Sequence, residues 1–171
     1  MEKALNVIKE LLRAKIKFVV IGGVASSYYG VKRATFDLDL LMLPKDEDLR
    51  KIISVLKRLG YKNIYSLNAT GNVANNIGPI AKVSLAKIKK YYAVRFVNSF
   101  DIDLMFPENS VFFDFIWEYR FEIALGGLKV PVPNLIDLIR IKELSGRDKD
   151  IEDAKVLRHI LIRGMSDSNN G

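Results

Sequence analysis

The sequence predicts an α/β protein, α+β in the grouping of its elements, and three observations carry that expectation. Phe18, Val19, Val20 and Ile21 form a β-branched, aromatic run that Gly22 and Gly23 stop, and a small-residue helix over 24–29 follows until Gly30 ends it. Two further runs, 36–40 and 100–106, alternate aspartate with apolar residues at the period of a strand. Segments of helical period stand at both ends of the chain and between the strands.

Taken in order, residues 2–15 place Ala4, Leu5, Ile8, Leu11 and Leu12 at helical spacing and predict an amphipathic helix leading into the strand at 18–21. In the strand at 36–40, alternation turns Asp37 and Asp39 to one face and Phe36, Leu38 and Leu40 to the other. Two carboxylates on one face of an otherwise apolar strand are costly unless they meet a cation or water. A helix over 46–59 follows, with Leu49, Ile52, Ile53, Leu56 and Leu59 on one stripe and Gly60 as its stop. Residues 61–67 read as a short strand. The Asn- and Gly-rich segment 68–79 reads as a mobile loop, with one helical turn at 73–77.

Strands are expected at 81–85, 91–97 and 100–106, the last repeating the aspartate pattern with Asp101 and Asp103 on one face. After Pro107 come a helix at 110–117 and a hairpin turning on Gly126 and Gly127. Asn134 caps a penultimate helix with Asp137 at the capping-box position, and a last helix runs over 148–162. The expectation is one domain over 1–163 with a flexible polar tail over 164–171.

Composition narrows the chemistry. Cysteine is absent and His159 is the single histidine, which excludes disulfides, thiolate metal sites and multi-histidine zinc sites. Any metal chemistry must therefore be carboxylate chemistry with a hard cation such as Mg²⁺. The net charge of +7 favours polyanionic ligands, nucleotide or nucleic acid. No apolar run reaches the roughly 18 residues needed to span a bilayer, and residues 1–4 lack the layout of a signal peptide, so the sequence predicts a cytoplasmic protein with no membrane partner.

An Asp37-x-Asp39 pair, a third acid from 100–106 and a glycine turn opening a helix together suit metal-assisted phosphoryl or nucleotidyl transfer. The helix start offers amide donors to phosphate, with Ser26 and Ser27 in reach. Mg²⁺ takes one or two carboxylates plus substrate phosphates, and a two-ion arrangement grips both the attacking and leaving oxygens. Three clustered acids repel one another unless cations neutralise them.

The set Gly22, Gly23, Gly30, Arg33, Thr35, Asp37 and Asp39 resembles the signature of the nucleotidyltransferase fold shared by DNA polymerase beta and the minimal nucleotidyltransferases. Within it, Gly22-Gly23-Val24-Ala25 and the later Lys142, Arg147, Lys149, Asp150 and Asp153 are similar to the AbiEii-like branch, which includes toxins of toxin–antitoxin and abortive-infection systems. The resemblance spans residues 17–161, apart from 61–92. It implies a mixed sheet flanked by helices, two Mg²⁺ ions held by Asp37, Asp39 and Asp103, and transfer of a nucleoside monophosphate from an NTP such as ATP to a hydroxyl. Asp103 is selected over Asp101 by the likeness of Ile102-Asp103-Leu104-Met105 to the family. Gly22, Gly23, Ser26, Arg33 and Thr35 are implied to hold the triphosphate. Many relatives carry serine directly after the first glycine, where this chain has Gly23. The acceptor is left open among RNA, protein and small molecule, an antitoxin is a candidate partner, and oligomeric state is unspecified. A catalytically inactive binding module for nucleotide, RNA or protein is the alternative.

The C-terminal helices add support. At about 100° per residue, Lys142 falls amid Leu135, Leu138 and Ile139, and Asp150 and Asp153 fall among Ala154, Leu157, Ile160 and Leu161. A lysine within an apolar stripe needs a partner: a nucleotide phosphate, or Asp153. The basic run Lys82, Lys87, Lys89 and Lys90 beside Tyr91 and Tyr92 is either an RNA contact or a solvated face.

Overall fold

The computed structural model describes residues 2–168. In chain order the elements are α1 (Glu2–Arg13), β1 (Val19–Val20), α2 (Gly22–Tyr28), β2 (Asp37–Leu41), α3 (Asp46–Arg58), β3 (Asn63–Leu67), β4 (Val73–Pro79), α4 (Leu85–Ile88), β5 (Ala93–Val97), β6 (Asp101–Met105), α5 (Ser110–Glu118), β7 (Phe121–Leu125), β8 (Leu128–Val132), α6 (Leu135–Ser145) and α7 (Asp148–Ser168). The last helix runs through Ser168, past the start of the expected tail at 164, and residues 169–171 of that tail lie outside the described residues.

Six strands form one mixed sheet in the order β1-β2-β6-β5-β3-β4, and β7 with β8 forms a separate hairpin. Within the large sheet β2 and β6 run parallel, while the other neighbours are antiparallel. Alternation then sorts the side chains by face. Leu38 and Leu40 of β2, Ile102 and Leu104 of β6, and Val94 and Phe96 of β5 enter the main core, where α1 contributes Ile8 and Leu11 and α3 contributes Leu49, Ile52 and Leu56. On the other face Val19, Ile21 and Leu41 pack against Phe113 and Ile116 of α5. That small cluster covers one end of the face, and the aspartates occupy the rest.

Two expected elements differ. Residues 73–79 form the edge strand β4 rather than a helical turn. Of that strand only Ile77 is buried, so no apolar alternation marks it; backbone pairing with β3, irregular between Ile64 and Tyr65 and between Ser66 and Leu67, holds it in place. Residues 81–85 are not a strand: the chain turns after Pro79, and Ser84 caps the one-turn helix α4 by accepting from the Lys87 amide at 3.3 Å. By contrast α6 opens with the expected cap, the Asn134 side chain accepting from the Asp137 amide at 2.9 Å. No helix among the described residues is long and apolar enough to cross a membrane.

Candidate functional site

The parallel pairing of β2 with β6 sets Asp37 opposite Asp101 and Asp39 opposite Asp103, bringing the two aspartate repeats side by side on one face. Asp37, Asp39 and Asp103 each offer a carboxylate oxygen, and those three oxygens lie within 4.8 Å of one another. Asp39 and Asp103 are buried, whereas Asp37 is half-buried. Burial first, then the charges of Asp37 and Asp103, pushes Asp39 up to about 7. Asp103 is also raised by burial, even though hydrogen bonds and charge from Arg95 pull the other way.

The glycine turn is built around this cluster. Gly22 has φ +63°, and a Cβ there would lie 1.8 Å from Asp39 Oδ2, so only glycine permits the turn to approach the carboxylate. At Gly23 a Cβ would stand 2.5 Å from Thr35 Oγ1 and 3.2 Å from Arg33 Nη2, which places the 31–36 arm directly over the start of α2. Thr35 donates to the Asp37 carbonyl at 3.2 Å and fixes the arm to the head of β2. Ser26 is fully buried and donates to the Gly22 carbonyl at 2.9 Å, so its hydroxyl braces the turn from inside; Ser27 is exposed.

A second polar cluster anchors Arg33. Its Nε donates to Asp153 Oδ2 at 3.0 Å, leaving Nη2 beside Gly23. Lys142 is 2% exposed and its ammonium donates to both Asp150 and Asp153. Of the two alternatives that the sequence leaves for this lysine, the structure shows the pairing with Asp153, with Asp150 as a further partner, and not a nucleotide-facing ammonium. Ser145 and Arg147 also donate to Asp150. Burial opposes charge on Asp150, but its bonds to Lys142 and Ser145 and the charges of Lys142 and Arg147 prevail and lower its pKa. A cavity of about 330 Å³ opens between Gly22 and Asp39 on one side and α6 on the other; Leu41, Met105, Phe112 and Ile141 give it apolar walls, and Arg147 stands at its edge.

Sequence reasoning missed Arg95. It lies opposite Asp103 on β5 and grips both oxygens of that carboxylate at 2.7 Å. A signal was available: Arg95 interrupts the apolar run Ala93, Val94, Phe96 and Val97, so it must point to the acid face. Within the basic run 82–90, Lys87 donates to the Ile77 carbonyl and Lys89 pairs with Asp46, while Lys82 and Lys90 are exposed.

No family model matches this chain, and no curated protein matches it. Solved structures do. A Thermotoga maritima protein assigned as a nucleotidyltransferase superposes with a TM-score of 0.55 at 16% identity, over 95% of this chain and 92% of its own. ANT(2")-Ia, solved in complex with adenylyl-2"-tobramycin, gives 0.53 at 13% identity over the full length of both chains. The Megavirus polyadenylate synthase gives 0.53 at 15% identity over 95% of this chain and 31% of that enzyme. The fold is that of the nucleotidyltransferases. In this nucleotidyltransferase fold the mixed sheet presents the aspartates of β2 and β6 on one face, and α6 together with Asp150 of α7 lines the far side of the cavity beside Asp39.

Proposed function

We propose that the protein is a Mg²⁺-dependent nucleotidyltransferase that moves a nucleoside monophosphate from an NTP to a hydroxyl. The observation that carries this reading is the in-register placement of Asp103 beside Asp39, which gathers three carboxylates next to a glycine turn that Arg33 overhangs. The donor set fits the ion: three carboxylates that offer oxygen ligands alone, Asp39 and Asp103 buried, with no nitrogen or sulfur ligand among the three. Asp37, Asp39 and Asp103 would hold it. Bound there, Mg²⁺ would neutralise the polyphosphate and acidify the attacking hydroxyl.

The chain's own residues do the rest. Gly22 and Gly23 let phosphate oxygens approach backbone amides, with Ser26 bracing the turn and Thr35 fixing the arm. Arg33 Nη2 meets the triphosphate while its Nε stays on Asp153, and Lys142 acts through Asp153 as a positioning residue. The Asp103 carboxylate accepts the proton of the hydroxyl, whose oxygen bonds to the α-phosphorus as pyrophosphate leaves. The cavity beside Asp39 offers apolar walls to a flat base or to the acceptor.

The sequence likeness to the AbiEii-like branch supports a cytoplasmic toxin with RNA or protein as acceptor and an antitoxin as partner; growth arrest on expression, relieved by a neighbouring gene, would be its signature. Arg95 favours a second reading, a binding module without turnover, because its guanidinium lies between the acids. Transfer of label from each α-labelled NTP to RNA, protein or small-molecule acceptors, with pyrophosphate released, tests the first reading. Absence of label on every acceptor, together with intact NTP binding, would select the second.

A further inference from the structure

Arg95 contacts more than Asp103. Its Nη2 is 2.7 Å from Asp103 Oδ2 and 3.3 Å from Asp37 Oδ2, so one nitrogen bridges the carboxylates of β6 and β2. An ion shared by Asp37 and Asp103 would need that same gap. A guanidinium and a divalent cation cannot occupy it together, since like charges at such short range in a partly buried site repel strongly. A retreat is already in place: Nη1 stands 3.7 Å from Asp101 Oδ2, and Asp101 is the more exposed acid of β6 on the same face.

We infer that Arg95 is a displaceable stand-in for the cation between Asp37 and Asp103, and that Asp101 is the carboxylate onto which it withdraws when metal enters. The inference rests on the metal-dependent reading above. It assigns separate tasks to the two acids of β6, Asp103 serving the ion and Asp101 serving the arginine. It also explains how three packed acids are tolerated without metal: the gap between Asp37 and Asp103 always holds a positive charge. The cost is a lower affinity for the ion, which must evict the guanidinium before it binds.

The test is calorimetric titration of the full chain with Mn²⁺, comparing wild type, Arg95→Met and Asp101→Asn. Arg95→Met is expected to bind Mn²⁺ about tenfold tighter or better, since competition for the gap is removed. Asp101→Asn is expected to bind more weakly than wild type, because the displaced guanidinium has lost its partner. In the wild type, the Nε–H resonance of Arg95, protected by its bond to Asp103, is expected to move on saturation with Mg²⁺. Unchanged or weaker Mn²⁺ binding by folded Arg95→Met would overturn the inference. If that variant does not fold, an Nε–H resonance unmoved by saturating Mg²⁺ overturns it instead. Wild-type binding without tightening in Arg95→Met defeats this inference alone, whereas no binding by either protein defeats the metal reading and the inference together.

Discussion

Asp39 of β2 and Asp103 of β6 are register partners across the one parallel strand pair of the sheet, so two acids 64 positions apart in sequence share one face. Strand pairing, rather than a local motif, assembles the site. Its chemistry therefore depends on how each acid is held.

Asp39→Asn is expected to abolish nucleotidyl transfer and weaken metal binding by more than about tenfold, because a neutral amide replaces a charged ligand. The fold should tolerate it. The Asp39 carbonyl, which accepts from the Ile21 amide at 2.9 Å, is untouched, and a buried charge is removed. Thermal melting at pH 8 should show a midpoint equal to or above that of wild type; transfer at the wild-type rate would contradict the assignment.

The pH dependence follows from Asp39. Its folded pKa of about 7 lies above the ordinary 3.8, so the unfolded chain loses this proton first as pH rises. Between those values the folded state binds more protons, and the stability contributed by this group falls with rising pH until it levels off above 7. Metal-free protein is expected to melt lower at pH 8 than near pH 5.5 on account of this site, and Asp39→Asn should flatten that difference. Metal binding below pH 7 should release protons, detectable by calorimetry in buffers of different ionisation enthalpy.

Gly22→Ala is expected to cost about 2 kcal/mol or more, combining a strained positive φ with a Cβ 1.8 Å from the Asp39 carboxylate. Urea denaturation measures the loss. Metal affinity should fall with it, since Asp39 has to move aside.

Lys142→Met distinguishes an anchor from a phosphate ligand. Removing the ammonium strands Asp150 and Asp153 in a buried setting, so the ligand-free protein should lose roughly 3–5 kcal/mol. Asp153→Asn keeps the shape but loosens Arg33, and should weaken NTP binding several-fold with a smaller loss of stability. A Lys142→Met protein as stable as wild type but unable to bind NTP would assign the lysine to phosphate instead.

Much of this was legible in the sequence where local periodicity and burial coincide. The strand–glycine–helix unit and the aspartate alternation within 37–40 and 101–105 are patterns with one physical outcome, and Asn134 is a cap that reads directly; Phe36, expected on the apolar face with Leu38 and Leu40, instead precedes β2 and is exposed. Segment 73–79 was not legible, because β4 is an edge strand of exposed polar residues whose order comes from β3. Nor was 81–85, where Ser84 capping a single helical turn outcompetes a β-like composition. At the site, Asp37, Asp39 and Gly22 could be named in advance because they sit within one contiguous stretch. Alternation within 93–97 could have turned Arg95 to the acid face, but its pairing with Asp103, like that of Arg33 with Asp153, depends on which strand lies next to which and where α7 docks, and no spacing in the sequence encodes that.

The most direct test is calorimetric titration of the protein with each of the four NTPs, with and without Mg²⁺, repeated on Asp37→Asn/Asp39→Asn. Metal-dependent binding of one or more NTPs, lost in the folded double variant, is the expected result and would name the donor. NTP binding that is indifferent to Mg²⁺ and survives in the double variant would contradict the claim that these acids hold a metal–nucleotide complex.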